Sequence, residues 1–331
     1  MKIETAALAP APQWCQWPRK NPPLVSPLPL PTNVPRSASS PVRYKVIEGA
    51  LYRREPEPAS FRQVVHDLGH GHVEATSMPQ YWWGEVGDLD ALAYADLMLQ
   101  LSGDNPPTEE DLLQRLTENR DRSTRRARTK VRRLVKAKNL TDMITLTYRE
   151  EQTDRVRMSR DFDVFMKRVR RVLPGFEYVC VFERQDRGAW HAHIAVQRVQ
   201  MHYVSQGVRV RSYDLFRSLW RAVVGTDNGN IDVARGKAAR RSGKSTAKLA
   251  GYLSKYIGKA LDGADKFQNS YSASGKALPK PVVFSVMSAS VMAGVAALLS
   301  VLSPEVSASA VPHHFFIDGG GYFLCLCPPA T

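Results

Sequence analysis

The sequence predicts an α+β fold in which an antiparallel sheet carries helices packed to one side. Three observations lead there. Between residues 143 and 261, apolar runs of strand length alternate with stretches of helical period. Two of those runs, Tyr178–Phe182 and Ile194–Val196, flank the polar turn Gln185, Asp186, Arg187 and Gly188, the pattern of a β-hairpin. Single hairpins and single helices that return to one sheet favour antiparallel pairing over a parallel crossover sheet.

The elements follow in order. Residues 1–42 are rich in proline and serine, with too few apolar runs to order themselves, and are expected to form a disordered arm. Residues 43–120 are read as an N-terminal, mostly helical region. Within it, 43–80 show short apolar runs without clear period. His70-Gly71-His72 reads as loop, because its glycine interrupts a strand. Leu89, Leu92, Ala93, Ala95 and Leu99 have helical spacing, and Thr108 is an N-cap candidate with Glu109, Glu110 and Asp111 in the first turn. Next come a strand at Met143–Tyr148, a helix at Arg160–Val172 closed by Pro174-Gly175, and strands at Phe176–Glu183 and Trp190–Val199. A helix at Tyr213–Val224, a strand at Asn230–Ala234 and a helix at Thr246–Leu261, capped by Ser245 or Thr246, complete the core. Val282–Leu302 is long and uncharged, but Ser285, Ser288, Ser290, Gly294 and Ser300 dilute it. A strand followed by a buried helix is expected there, not a membrane span. The last segment, 288–331, is read as that helix plus a hairpin, HHFFID-GGG-YFLCLC. Its adjacent His313 and His314 would point to opposite faces and cannot chelate together.

Composition narrows the function. A formal charge of +14 points to a polyanionic partner, nucleic acid before an anionic membrane. Four scattered cysteines exclude a disulfide framework or a four-thiolate zinc site, and the cysteine usage suits a reducing cytoplasm. Residues 1–20 lack the basic start and apolar run of a signal peptide. Positive charge concentrates between Arg122 and Lys138, where Arg125, Arg126, Arg128, Lys130, Arg132 and Arg133 would coat a helix. Such a single-sign run repels itself unless phosphates neutralise it, and DNA contact is expected. A second basic stretch has no acidic residue between Asp232 and Asp262. Its Arg240, Arg241, Lys244 and Lys248 are read as a DNA-facing loop and helix start. Ser242–Thr246, SGKST, also resembles the tail of a phosphate-binding loop. The glycine that motif requires is Ala238 here, so an ATP-using helicase is disfavoured.

Two motifs carry chemistry. His191 and His193 sit two apart on the second hairpin arm, so their imidazoles share a face. Glu183 on the first arm can come alongside. A His/His/Glu set with open positions suits a divalent ion acting as a Lewis acid on a substrate oxygen. On its own, the His-x-His pair equally describes two partly buried strand histidines. The second motif is Gly251–Lys259, GYLSKYIGK, in which Tyr252 and Tyr256 stack on one helical face beside Lys255 and Lys259. An amphipathic helix with core aromatics and snorkelling lysines would also give this pattern, though the repeated Tyr-x-x-Lys fits it less well.

Together with Met143–Tyr148, MITLTY, and the basic RRARTKVRRLVKAKNL ahead of it, these motifs resemble the HUH endonuclease superfamily. More narrowly, the chain is similar to the rolling-circle replication initiators of filamentous and other single-stranded DNA phages and related plasmids. The resemblance spans roughly residues 120–285. It implies a five-stranded, RRM-like HUH sheet in a domain over 121–287. It further implies His191, His193 and Glu183 as ligands of Mg²⁺ or Mn²⁺, Tyr252 and Tyr256 as nucleophiles, and Lys255 and Lys259 as their helpers. Single-stranded and origin DNA would be the substrate, host polymerase and helicase the partners, and the cytoplasm of a bacterial host the location. A relaxase places tyrosines ahead of its histidines, the reverse of the order here. A transposase, or a DNA-binding regulator without catalysis, are the other readings.

Overall fold

A computed structural model describes residues 43–102, 108–205, 207–235, 244–261, 270–287, 290–301, 311–317 and 321–328. The proline-rich stretch 1–42 and the first residues of SGKST lie outside the described residues. The elements, in chain order, are β1 (Tyr44–Ile47), β2 (Ala50–Asp67), β3 (Val73–Glu85), α1 (Ala91–Ser102), α2 (Glu109–Ala137), β4 (Asp142–Tyr148) and α3 (Arg155–Val172). There follow β5 (Tyr178–Arg184), β6 (Trp190–Val196), β7 (His202–Ser205), β8 (Val208–Arg211), α4 (Ser212–Val224), β9 (Gly229–Ala234) and α5 (Lys244–Leu261). The last are β10 (Tyr271–Ala273), β11 (Val282–Met287), α6 (Val291–Val301), β12 (Val311–Ile317) and β13 (Gly321–Cys327). The architecture is α+β with antiparallel sheets and six helices among the described residues.

The chain divides into two compact units. One comprises Met1–His66, Glu74–Asn105 and Pro281–Leu326; the other comprises Asp67–Val73, Pro106–Lys280 and Cys327–Thr331. The first unit holds a six-stranded sheet in the order β1-β2-β3-β13-β12, with β11 paired to β2 from Val282↔Val65 to Met287↔Ser60. Residues 43–80, where no clear period was expected, thus supply two long strands and a short one. The His70-Gly71-His72 stretch is the loop between β2 and β3, as expected. The strand at 282–287 and the helix after it are present, and the two arms of the C-terminal hairpin are neighbours in the sheet. No helix among the described residues is long and apolar enough to cross a membrane.

The second unit holds a five-stranded sheet in the order β10-β5-β6-β4-β9, every pair in it antiparallel. Its helices do not pack on one face, as expected from the sequence, but on both. Tyr178, Cys180 and Phe182 of β5 join a core with Met158, Phe162 and Phe165 of α3 and Phe216 and Trp220 of α4. Val179 and Val181 point the other way, into a core with Val131, Leu134 and Val135 of α2 and Ala250, Leu253 and Ile257 of α5. A strand buried on both faces reads as a continuous apolar run, and YVCVF is one.

Local sequence sets the helix ends. Thr108 caps α2 through its hydroxyl to the Asp111 amide, and the Asp111 carboxylate returns to the Thr108 amide. That helix continues for 29 residues, burying apolar side chains only in its second half. The third helix begins at Arg155, five residues before the expected Arg160, because Asp154 accepts the amides of Val156 and Arg157. Lys244 opens α5, so neither Ser245 nor Thr246 is its N-cap. Thr246 is buried instead, with its hydroxyl on the Asn139 side-chain oxygen at 3.2 Å. In the β5–β6 turn, Gly188 takes φ 96°, a conformation costly for any side chain, and donates to the Gln185 carbonyl.

Candidate active site

Strand pairing brings the histidine motif together. Glu183 lies directly across from His191 and Val181 across from His193, so the carboxylate and both imidazoles share the face on which α5 packs. The Glu183 Oε2 stands 2.7 Å from His193 Nε2, a charge-assisted contact between residues exposed by only 8% and 7%. Thr145 of β4 pairs with His193 on the other side, its Oγ1 3.3 Å from His193 Nδ1. Both nitrogens of that ring are therefore engaged, which fixes its plane.

His191 is more open. Arg187 Nε–H donates to Gln185 Oε1 at 3.0 Å, and this turns the Gln185 amide nitrogen toward His191 Nδ1 at 3.2 Å. Burial, then the neighbouring His193, lowers the pKa of His191 and favours the neutral ring whose lone pair can accept a cation. A small recess of about 110 Å³ borders His191 and is also lined by Glu150, Glu151 and Arg187.

The tyrosine motif meets this cluster from above. Ala250, Leu253 and Ile257 bury the inner stripe of α5 and rotate Tyr256 over the sheet. Its ring stacks on His193 with centroids 4.5 Å apart and planes 21° from parallel. The Tyr256 hydroxyl donates to the Tyr252 oxygen at 2.5 Å, the two rings meeting edge-on. Tyr252 is 42% exposed. Burial first, then the hydrogen bond to Tyr252 and the Glu183 charge, push the pKa of the Tyr256 phenol up. Lys248, Tyr252 and Lys255 form one exposed stripe of the helix. Lys259 and Lys244 lie on α5 with their side chains outside the described residues, and Arg240 and Arg241 fall outside them altogether.

Two residues of this face escaped the sequence reading. Thr145 sits in the MITLTY strand, where its alternation with Ile144 and Leu146 marked it as facing the other way from the core. Asp232 of β9 is in register with Thr145 and so lies in the same cross-strand row as His193. Its signal was a lone acid on a strand that opens a stretch free of acids.

Among the described residues, no group of three or more His, Cys, Asp or Glu is arranged to hold a metal ion. The donor chemistry of His191, His193 and Glu183 fits a divalent cation. The arrangement has to change to receive one, because His193 Nε2 and Glu183 are hydrogen-bonded to each other and the two imidazole centroids stand 6.5 Å apart.

Of the basic residues, Arg125, Arg126, Lys130 and Arg133 line a groove of about 360 Å³ on α2, with Thr129 and Leu278. Arg125, Arg126 and Arg128 are exposed, while Lys130, Arg132 and Arg133 are partly buried. The run ends in structural positions: Lys136 is buried, and Lys138 pairs with Glu177 at 2.5 Å.

Residues 141–261 match a family model described as replication-associated protein ORF2, a stretch that begins beside β4 and ends with α5. The match suggests a family of replication initiators and covers well under half of the chain. No curated protein and no solved structure matches.

Proposed function

We propose that the protein initiates rolling-circle DNA replication as an HUH-type nickase and ligase, with Tyr252 and Tyr256 as its nucleophiles. The observation that carries the reading is the Tyr252–Tyr256–His193–Glu183 contact chain on one face of a five-stranded sheet, inside the segment that matches a replication family. His191, His193 and Glu183 would hold a divalent ion, Mg²⁺ or Mn²⁺. When bound, it supplies Lewis-acid polarisation of the scissile phosphate and offsets charge on its oxygens.

The chain's own residues do the rest. A phenol is a weak nucleophile at neutral pH, since its pKa is ~10. Tyr252 is exposed and receives a hydrogen bond from Tyr256, so its oxygen is the one of the two presented to a phosphate. Its oxygen bonds to phosphorus as the bond from phosphorus to the 3′ oxygen breaks. The phenol proton leaves to water, and the 3′ oxygen keeps the electron pair and takes up a proton. A 5′-phosphotyrosyl end and a free 3′-OH result; a host polymerase, with a helicase, extends that 3′-OH. Lys255, on the exposed stripe beside Tyr252, orients the phosphate, and Lys259 has the same role. After one round Tyr256 attacks the regenerated origin, and the released 3′-OH reverses the first link to close a circle without ATP. Arg125, Arg126, Arg128, Lys130, Arg132 and Arg133 on α2, with Lys248 on α5, hold the DNA backbone.

The test is capture of a labelled single strand carrying the origin on a denaturing gel, with Mg²⁺ or Mn²⁺ and with chelator. A metal-dependent covalent adduct that disappears in Tyr252→Phe/Tyr256→Phe is expected. Tight binding of a verified origin without an adduct under any metal would instead establish a non-catalytic DNA-binding regulator.

A further inference from the structure

Between β6 and α4 the chain forms a two-stranded antiparallel ribbon, β7 paired with β8 from His202↔Arg211 to Ser205↔Val208. Its base is tied to the five-stranded sheet. The Val199 amide donates to the buried Asp142 carboxylate of β4 at 2.8 Å. Arg235, just past β9, donates to the Val199 carbonyl at 3.4 Å and to the Ser212 hydroxyl at 2.6 Å. The Ser212 amide returns to the Met201 carbonyl at 3.0 Å. Tyr203 turns inward, its ring centroid 6.1 Å from that of Phe216 on α4, and its hydroxyl accepts the Gln200 amide at 3.2 Å. Phe216 belongs to the core on the side of the sheet away from Tyr256 and His193. These clamps hold the ribbon in place before any ligand arrives.

Cross-strand partners share a face, so His202, Val204, Arg209 and Arg211 make up the outer one. Arg209 and Arg211 are exposed, and Val204, directly opposite Arg209, is 69% exposed. A terminal nitrogen of the Arg209 guanidinium donates to His202 Nδ1 at 3.3 Å, which orients the fork. The sequence has no acidic residue between Asp186 and Asp214, but four arginines, Arg187, Arg198, Arg209 and Arg211. The charge suits a polyanion, and the shape decides its form. Single strands are held by rings on which bases stack, and the one tyrosine of this ribbon faces inward. Two strands about 4.8 Å apart, with their side chains, instead fill a duplex major groove ~12 Å wide. We infer that the β7–β8 ribbon enters the major groove of duplex DNA and reads its sequence. Arg209 donates to O6 and N7 of a guanine, and Val204 lies against the methyl of a neighbouring thymine. Arg211, nearer the base of the ribbon, takes a flanking phosphate. The inference deepens the function proposed above, and rests on it only in taking that duplex to be the origin.

The experiment uses the full chain in chelator, so that no cleavage occurs. Selection from duplexes with a randomised central segment supplies the probe, and fluorescence anisotropy compares the enriched duplex with a scrambled one. A guanine-containing motif is expected. Arg209→Ala is expected to lower the ratio of enriched to scrambled affinity roughly 5- to 150-fold, the loss of one bidentate base contact. Val204→Ala is expected to relax the preference for thymine at one adjacent position. Arg211→Gln is expected to weaken both duplexes alike and to lower the salt slope by ~0.9. Selection that enriches no sequence overturns the inference. So does an unchanged ratio in Arg209→Ala at a wild-type melting temperature. A concentration-dependent doubling of mass that Val204→Asp abolishes, with the duplex ratio intact, overturns it in favour of a contact between two copies of the chain. Adduct formation on a single strand is scored separately. A failed adduct with intact duplex selectivity, or the reverse, tells which proposal has fallen.

Discussion

Because the Tyr256 hydroxyl donates to Tyr252 while its ring rests on His193, the two phenols differ in readiness although they sit four residues apart. A hydrogen bond to a charged oxygen contributes about 1.5–3 kcal/mol, so Tyr256→Phe should slow adduct formation through Tyr252 by roughly 10- to 100-fold. Tyr252→Phe should suppress the first cleavage further, leaving only the more buried Tyr256. Single-turnover capture rates on the origin strand separate the two. Glu183 is the group whose loss should cost stability as well as activity. Glu183→Ala leaves a buried imidazole nitrogen without its partner, at about 1–3 kcal/mol, measurable by urea unfolding; Glu183→Gln should cost less. Cys180 gives a pH signature. It is fully buried, and burial pushes its thiol pKa well above the ordinary value. As pH rises past about 8.5 the unfolded chain releases this proton while the folded chain keeps it, so stability contributed below that pH is lost above it. Cys180→Ala should flatten the decline between about pH 8 and 10 in thermal melts.

At the scale of elements, α5 links packing to chemistry: Leu253 and Ile257 fix the rotation that lays Tyr256 on His193. Leu253→Ala should destabilise the protein by about 2–5 kcal/mol and lower the adduct yield out of proportion to DNA affinity, read by denaturation and anisotropy together. The sequence made α5, β5 and β6 legible because their signals are local: His-x-His on a period of two and Tyr252/Tyr256 on a helical period both survive without knowledge of partners. The helices on both faces are legible too, in the unbroken YVCVF run, whereas the hairpin pattern alone does not tell a strand buried on one face from one buried on both. Asp154 as a helix start was readable in principle, an aspartate two residues after Gln152 and directly ahead of the apolar stripe Met158, Phe162 and Phe165.

At the scale of the molecule, the sheet of the first unit was not legible. Its strand β2 contains Pro56 and Pro58, residues that argue against a strand, and its partners include β11, more than 200 residues away in sequence. Only the pairing tells the strand from a loop, and pairing at that distance leaves no local pattern. The charge was legible as a sum and misleading in detail, since Lys136 is buried and Lys138 serves an ion pair, which leaves the groove of Arg125, Arg126, Lys130 and Arg133 as the part proposed to face DNA. Arg126→Gln should therefore weaken binding to all sequences alike and lower the salt slope by ~0.7–0.9, whereas Lys138→Gln should leave that slope unchanged and reduce stability. Titrating affinity against salt distinguishes them.

A sheet that begins at β1 and includes β11, β12 and β13 joins strands made before and after the segment that holds the tyrosines. While the ribosome is still reading the segment that holds the tyrosines, β2 and β3 have emerged with open edges and nothing yet synthesised to close them. Unpaired strand edges invite association with other chains. A nascent chain halted near residue 280 should therefore be more prone to aggregate than one extended past β13. Synthesis of β11, β12 and β13, more than any step in the unit that holds the tyrosines, then becomes the moment at which this sheet is committed to its final form.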